Sequence, residues 1–130
     1  MRHARMVLVS LLVLGCQEPL GPGDGLRGHF TDGASQLDAS ASKVVLTGRC
    51  ERAEFDPIVL DAQSEFNVTS VVFTRVGLVT HAPERLQMQG HLVGRHLVLT
   101  LAVVSSGSLP SFPTIVTLLP GSRDPPICNY

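Results

Sequence analysis

The stretch RLQMQGHLVGRHLVLTLAVV, residues 85–104, decides the fold. Gly94 and Arg95 at its centre fit a two-residue hairpin turn with glycine first, the type II′ preference. In the register that turn sets, Leu92 stands opposite Leu97, Gly90 opposite Leu99, Met88 opposite Leu101 and Leu86 opposite Val103. All of these share one face. Gln87, Gln89, His91 and Val93, with Ala102, Thr100, Val98 and His96, take the other face. A slip of one residue would scramble both faces, so the register is strongly specified. The Leu-rich face is expected to be the heart of the core, with Gly90 its one gap.

Working outward, the chain keeps this period of two. No helical period is visible from Leu26 onward. Short apolar runs are separated by Gly, Pro, Asp and Ser, the pattern of an all-β sandwich or small barrel. Strands are expected at Leu26 to Phe30, Ser35 to Ala39, Lys43 to Cys50, Phe55 to Leu60 and Phe66 to Thr74. Val44, Leu46 and Cys50 would share a face of the third. A turn at Asp61 to Ser64 would set Leu60 opposite Phe66 and Ile58 opposite Val68, matching apolar residues across strands. Val76 to Thr80 would continue that strand or begin another, since Gly77 permits a bend. Ser105 to Pro113 reads as a loop, and Pro113 to Leu119 as a last strand with Pro113 at its start or on an edge. Arg123 to Tyr130 reads as an irregular tail. The expected fold is one small all-β antiparallel barrel or barrel-like sandwich of about seven or eight short strands, over residues 26–130.

The first 25 residues read differently. Arg2, His3 and Arg5 precede an apolar run, Met6 to Leu14, and then Gly15 and Cys16. A basic start, an apolar run and a small residue at the cut make a secretory signal peptide. The run is about half of the roughly 20 residues a bilayer span needs. A buried helix would be cut off at once by Pro19, Gly21, Pro22, Gly23 and Gly25. Val13-Leu14-Gly15-Cys16 resembles the signal of a bacterial lipoprotein. That resemblance implies residues 1–15 as signal peptide, acyl lipid such as palmitate on Cys16, and a chain of 115 residues after cleavage. Gln17, where Asp would imply inner-membrane retention, implies the outer membrane. Residues 16–25 would then be the lipidated cysteine and a flexible, Pro- and Gly-rich linker. Plain secretion with ordinary cleavage stays open as the alternative to lipidation.

Composition narrows the function. After the cleavage point eight Lys plus Arg face eleven Asp plus Glu, a side-chain charge of about −3. That argues against nucleic acid or a polybasic lipid-binding role. The absence of Trp and the single Tyr argue against an aromatic platform for sugars or bases. Beyond Cys16, Cys50 and Cys128 are an even pair in an exported chain, which reads as a disulfide. Its loop of 78 residues would contribute about 4 kcal/mol on the chain-entropy model. Two separate buried thiols are the alternative. Neither cysteine has a Cys or His at metal-ligand spacing.

No residue pattern carries catalysis. Among His29, His81, His91 and His96, only His91 and His96 share a local face, and no carboxylate joins them in the hairpin. Two exposed strand histidines are the plain reading. Ser40 to Lys43 matches S-x-x-K but lacks the helix and the partner motifs of that nucleophile. Glu51, Glu54 and Asp56 would form at most half of a calcium site, and a charged strand edge explains them better. Asn67-Val68-Thr69 spells a glycosylation sequon and reads as a strand with polar outward positions. No metal or cofactor is expected.

Beyond the signal, Leu60-Asp61 before Phe66-Asn67-Val68, the hairpin Gly90-His-Leu-Val-Gly94, a mid-chain Cys and a late Cys resemble small uncharacterised bacterial lipoproteins. The resemblance spans Leu26 to Cys128 and implies fold and location only. The expected role is a non-enzymatic, membrane-anchored envelope protein, on the periplasmic or surface face. It would act on a protein partner through a strand edge or the loop Ser105 to Pro113. The alternative is a small apolar-ligand carrier with a lipocalin-like barrel. Leu and Met at nearly every inward hairpin position favour a filled interior, and so the contact protein.

Overall fold

A computed structural model describes residues 20–75, 84–105 and 110–122. They form an all-β fold without a helix, a single antiparallel sheet of nine strands curled into a half-barrel. The strands are β1 (Gly28–Thr31), β2 (Gln36–Ala39), β3 (Val44–Gly48), β4 (Glu51–Phe55), β5 (Glu65–Thr69), β6 (Val72–Arg75), β7 (Glu84–Val93), β8 (His96–Ser105) and β9 (Thr114–Pro120). Their order across the sheet is β5-β7-β8-β9-β1-β2-β3-β4-β6.

The hairpin has the expected register, with Leu92 opposite Leu97, Gly90 opposite Leu99, Met88 opposite Leu101 and Leu86 opposite Val103. Gly94 has φ +64° and Arg95 has no positive φ, as a type II′ turn requires. Met88, Leu97 and Leu99 are fully buried. They meet Leu118 of β9, and across the curl Leu26, Phe30, Leu37, Val44 and Phe55.

Several elements differ from the sequence reading. The fourth strand is Glu51–Phe55, not Phe55 to Leu60. Its residues alternate: Ala53 and Phe55 are buried, while Arg52 and Glu54 lie on the outer face. Two-sided pairing with β3 and β6 makes β4 an interior strand rather than a charged edge. Ile58 and Leu60 are buried, but they belong to an irregular segment bridged only at Gly25↔Val59.

The expected pairing of Leu60 with Phe66 is therefore corrected. Phe66 lies opposite Gly90 and Val68 opposite Met88, on β7. The expected strand 66–74 is two strands, and Ser70 is where they part. Ser70 N donates to Leu86 O at 2.8 Å, and Leu86 N donates to Ser70 Oγ at 2.9 Å. One residue later, Val71 N donates to Glu54 O at 2.8 Å. The chain thus passes from β7 to β4 within two residues. That handover joins the two ends of the sheet in sequence and curls it, and Arg75 Nη1 reaches Glu84 Oε2 at 3.5 Å across the gap.

Cys50 sits in the tight turn between β3 and β4 rather than on a strand, with φ 65°. Residues 20–25, expected to be linker, are tied to the domain. Leu20 packs on the core, Gly23 N donates to Leu60 O, Leu60 N to Asp24 O and Leu26 N to Ile58 O. The signal segment, Cys16, the expected strand at Val76 to Thr80, His81 and the tail with Cys128 lie outside the described residues.

Candidate functional site

Two surface features stand out, and both arise from how the half-barrel ends. At one end, the inward residues are large and buried, among them Phe30, Phe55, Phe66, Leu97 and Leu118. At the other end, continuing the same inward rows, Phe73, Leu101, Val103 and Val116 are only half-buried. They surround an open cavity of about 390 Å³. Leu46, Ala53 and Leu86 form its floor, and Ser35, Ser111 and Phe112 stand at its edge.

Charge gathers on the same rim through Arg49, Glu51, Arg52 and Arg75. Arg52 Nη1 donates to Glu54 Oε2 at 2.8 Å, outside the cavity. Arg75 pairs with Glu84 and stands opposite Glu51 in the β4–β6 register. Among the described residues, Arg49 has no carboxylate partner.

The second feature is β9 with the loop before it. Leu118 is the buried anchor of the strand. Thr114 and Val116 face the cavity, so Ile115, Thr117 and Leu119 face outward. Phe112 is 96% exposed, Ile115 69% and Leu119 48%. Ser111 turns the loop back onto the hairpin: Ser111 N donates to Val103 O, and Val103 N donates to Ser111 Oγ, both at 2.8 Å. This holds Phe112 out beside the cavity. Leu97 to Leu101 pair with β9 along five positions, but β1 pairs only at Phe30↔Pro120 and Thr31↔Leu119. Residues 114–118 therefore have a strand on one side only among the described residues.

Apart from Glu51 and the loop before β9, the candidates from sequence fall elsewhere. His91 and His96 are exposed on the outer hairpin face, opposite Val98 and Val93. A carboxylate does join His91, because β5 brings Glu65 opposite it. Asp61 is nearby, but its Oδ1 accepts from Gln63 N and Glu65 N at 2.9 Å and holds a turn. Among the described residues no group of three His, Cys, Asp or Glu comes together to hold a metal. His29 Nδ1 lies 2.6 Å from Asp38 Oδ1, which also accepts from Gln36 Nε2 at 2.9 Å.

Ser40 serves a turn. Its Oγ donates to Lys43 O at 3.0 Å and accepts from Lys43 N at 3.3 Å. The Lys43 amine reaches Glu54 at 3.3 Å instead of the hydroxyl. The acidic cluster divides: Glu54 is held outward by Arg52 and Lys43, while Glu51 faces the cavity. Hydrogen bonds from Arg52 and then Lys43 hold the Glu54 carboxyl below its ordinary pKa. Asn67 and Thr69 are outward and exposed. Cys50 is half-buried in the β3–β4 turn, and Cys128 lies outside the described residues.

The sequence reading missed the cavity. Its walls come from β3, β4, β6, β7, β8 and β9, and no local pattern marks residues from six strands as neighbours. No family model, curated protein or solved structure matches the chain.

Proposed function

We propose that this protein is a non-enzymatic envelope lipoprotein that acts by contact with a protein partner, anchored in the outer membrane through lipid on Cys16. The observation that carries the reading is Phe112, 96% exposed in a loop fastened to β8, with Ile115 and Leu119 exposed on the adjoining strand. Large exposed side chains in one place mark interaction sites, whereas scattered ones need no explanation. A strand with one open side also offers main-chain donors and acceptors to an extended partner segment. Cys50 pairing with Cys128 completes this reading, stapling the end of the chain to the β3–β4 turn.

The test is crosslinking in cells. A photoreactive residue at Thr117, outward on β9, captures an envelope protein in the wild-type background. The double substitution Phe112→Ser with Ile115→Ser abolishes that capture while the melting temperature stays unchanged. Undiminished capture would sink the reading. The anchor is tested separately: Cys16→Ser moves the protein from the membrane fraction to the soluble one, and unchanged partitioning counts against lipidation.

A further inference from the structure

We propose that the cavity at the open end of the half-barrel binds a single-chain amphiphile with an anionic head, of the fatty-acid class. This goes beyond the contact reading, which concerns the outer face of β9 and the loop before it, and the two share only Phe112 at the cavity's edge. Three observations carry it. The cavity, about 390 Å³, lies within the roughly 300–1,000 Å³ of small-ligand sites. Its upper wall is apolar, formed by Phe73, Leu101, Val103 and Val116, and these are half-buried although they continue the rows of the core. An acyl chain laid against them would remove that surface from water.

The third observation is charge. On the rim Arg52 is paired with Glu54, and Arg75 is paired with Glu84 and stands opposite Glu51, the one carboxylate that faces the cavity, while Arg49 has no carboxylate partner among the described residues. A guanidinium in that position donates two parallel hydrogen bonds to a carboxylate. It repels a cationic head. The depth of the barrel sets a limit on the chain, because Phe30, Phe55, Leu97, Leu99 and Leu118 fill the interior below. The ligand therefore lies in the mouth rather than along the barrel axis. A lipocalin-like ligand deep inside is not what this site takes.

The experiment titrates laurate into the full chain, exported with Cys16→Ser so that no attached acyl chain competes. The same tail on a trimethylammonium head and on an uncharged glycoside serve as comparison probes. Calorimetry is expected to show saturable one-to-one laurate binding. Val103→Trp, which fills the cavity, weakens it by about tenfold or more, a change of about 1.4 kcal/mol. Arg49→Glu weakens laurate about tenfold and leaves the glycoside unchanged.

Absence of saturable laurate binding overturns the proposal. So does laurate binding that Val103→Trp leaves intact, or equal binding of the cationic and anionic probes. Arg49 is exposed on a turn, so Arg49→Glu keeps the test valid if Val103→Trp fails to fold. Crosslinking from Thr117 is read in the same variants. Laurate binding lost with crosslinking retained separates failure of this site from failure of the contact reading.

Discussion

Gly90 shows how one residue sets the packing. The sequence marks it as the one gap in the Leu-rich face, and the ring of Phe66 fills that gap. A Cβ at position 90 would meet Phe66 Cε1 at 2.7 Å and Leu99 Cδ2 at 2.9 Å. Gly90→Ala is therefore expected to destabilise by about 1–3 kcal/mol, as overpacking does. Phe66→Leu in the same chain should recover part of the loss. Urea midpoints of the two single variants and the double check this, and strict additivity would refute the contact as the cause. The gap was legible in the sequence, but its filler was not, because local pairing placed Phe66 opposite Leu60. Ser70 was less legible still. As a buried serine in an apolar stretch, it gave no sign that the strand ends there. Its Oγ is the acceptor for the backbone N–H of Leu86. Ser70→Ala leaves that donor unpaired, and a loss of about 1–3 kcal/mol is expected. A loss near zero in the urea midpoint would show that water replaces the hydroxyl.

At the scale of elements, β7 and β8 were readable because a two-residue turn and a period of two determine one register between them. The strand β4 was not, although Glu51–Phe55 also alternates. The apolar run Ile58 to Leu60 offered a stronger local signal, and it is buried without pairing along a strand. What holds β4 outwardly is its charge. Glu54 accepts from Arg52 beside it on the same strand and from Lys43 across the hairpin, which lowers its pKa. A depressed carboxylate pKa stabilises the folded state above the ordinary value, and that contribution is lost as pH falls through the folded pKa. Glu54→Gln is thus expected to lower the melting temperature modestly at neutral pH, the pair being open to solvent. The difference from wild type should shrink in acid, below about pH 4. Melting curves from neutral to acid check it. A difference that stays constant across that range would mean that shape rather than charge is responsible.

Fold class was legible for the whole molecule, and topology was not. Turns and alternation announce antiparallel strands, but the links that curl this sheet are made far apart in sequence. The strand β5 adds to β7, β4 pairs with β6, and β9 returns to β1. These joints are unequal. The hairpin shares ten paired positions, whereas β9 and β1 share two and a single further bond, Gly121 N to His29 O. Local opening proceeds where few buried contacts and few backbone bonds resist it. The β9–β1 joint is therefore expected to open well below the free energy of global unfolding, splitting the sheet between the hairpin side and the β1 to β4 side. Handover at Ser70 would keep the two sides linked while the joint is open. Native-state hydrogen exchange reads this directly. Amides of Met88, Leu97 and Leu99 should exchange only with global unfolding, and those of Leu119 and Gly121 much faster, with little dependence on denaturant. Equal protection at both places would mean that the half-barrel opens as one unit, with β9 held to β1 by more than their two paired positions.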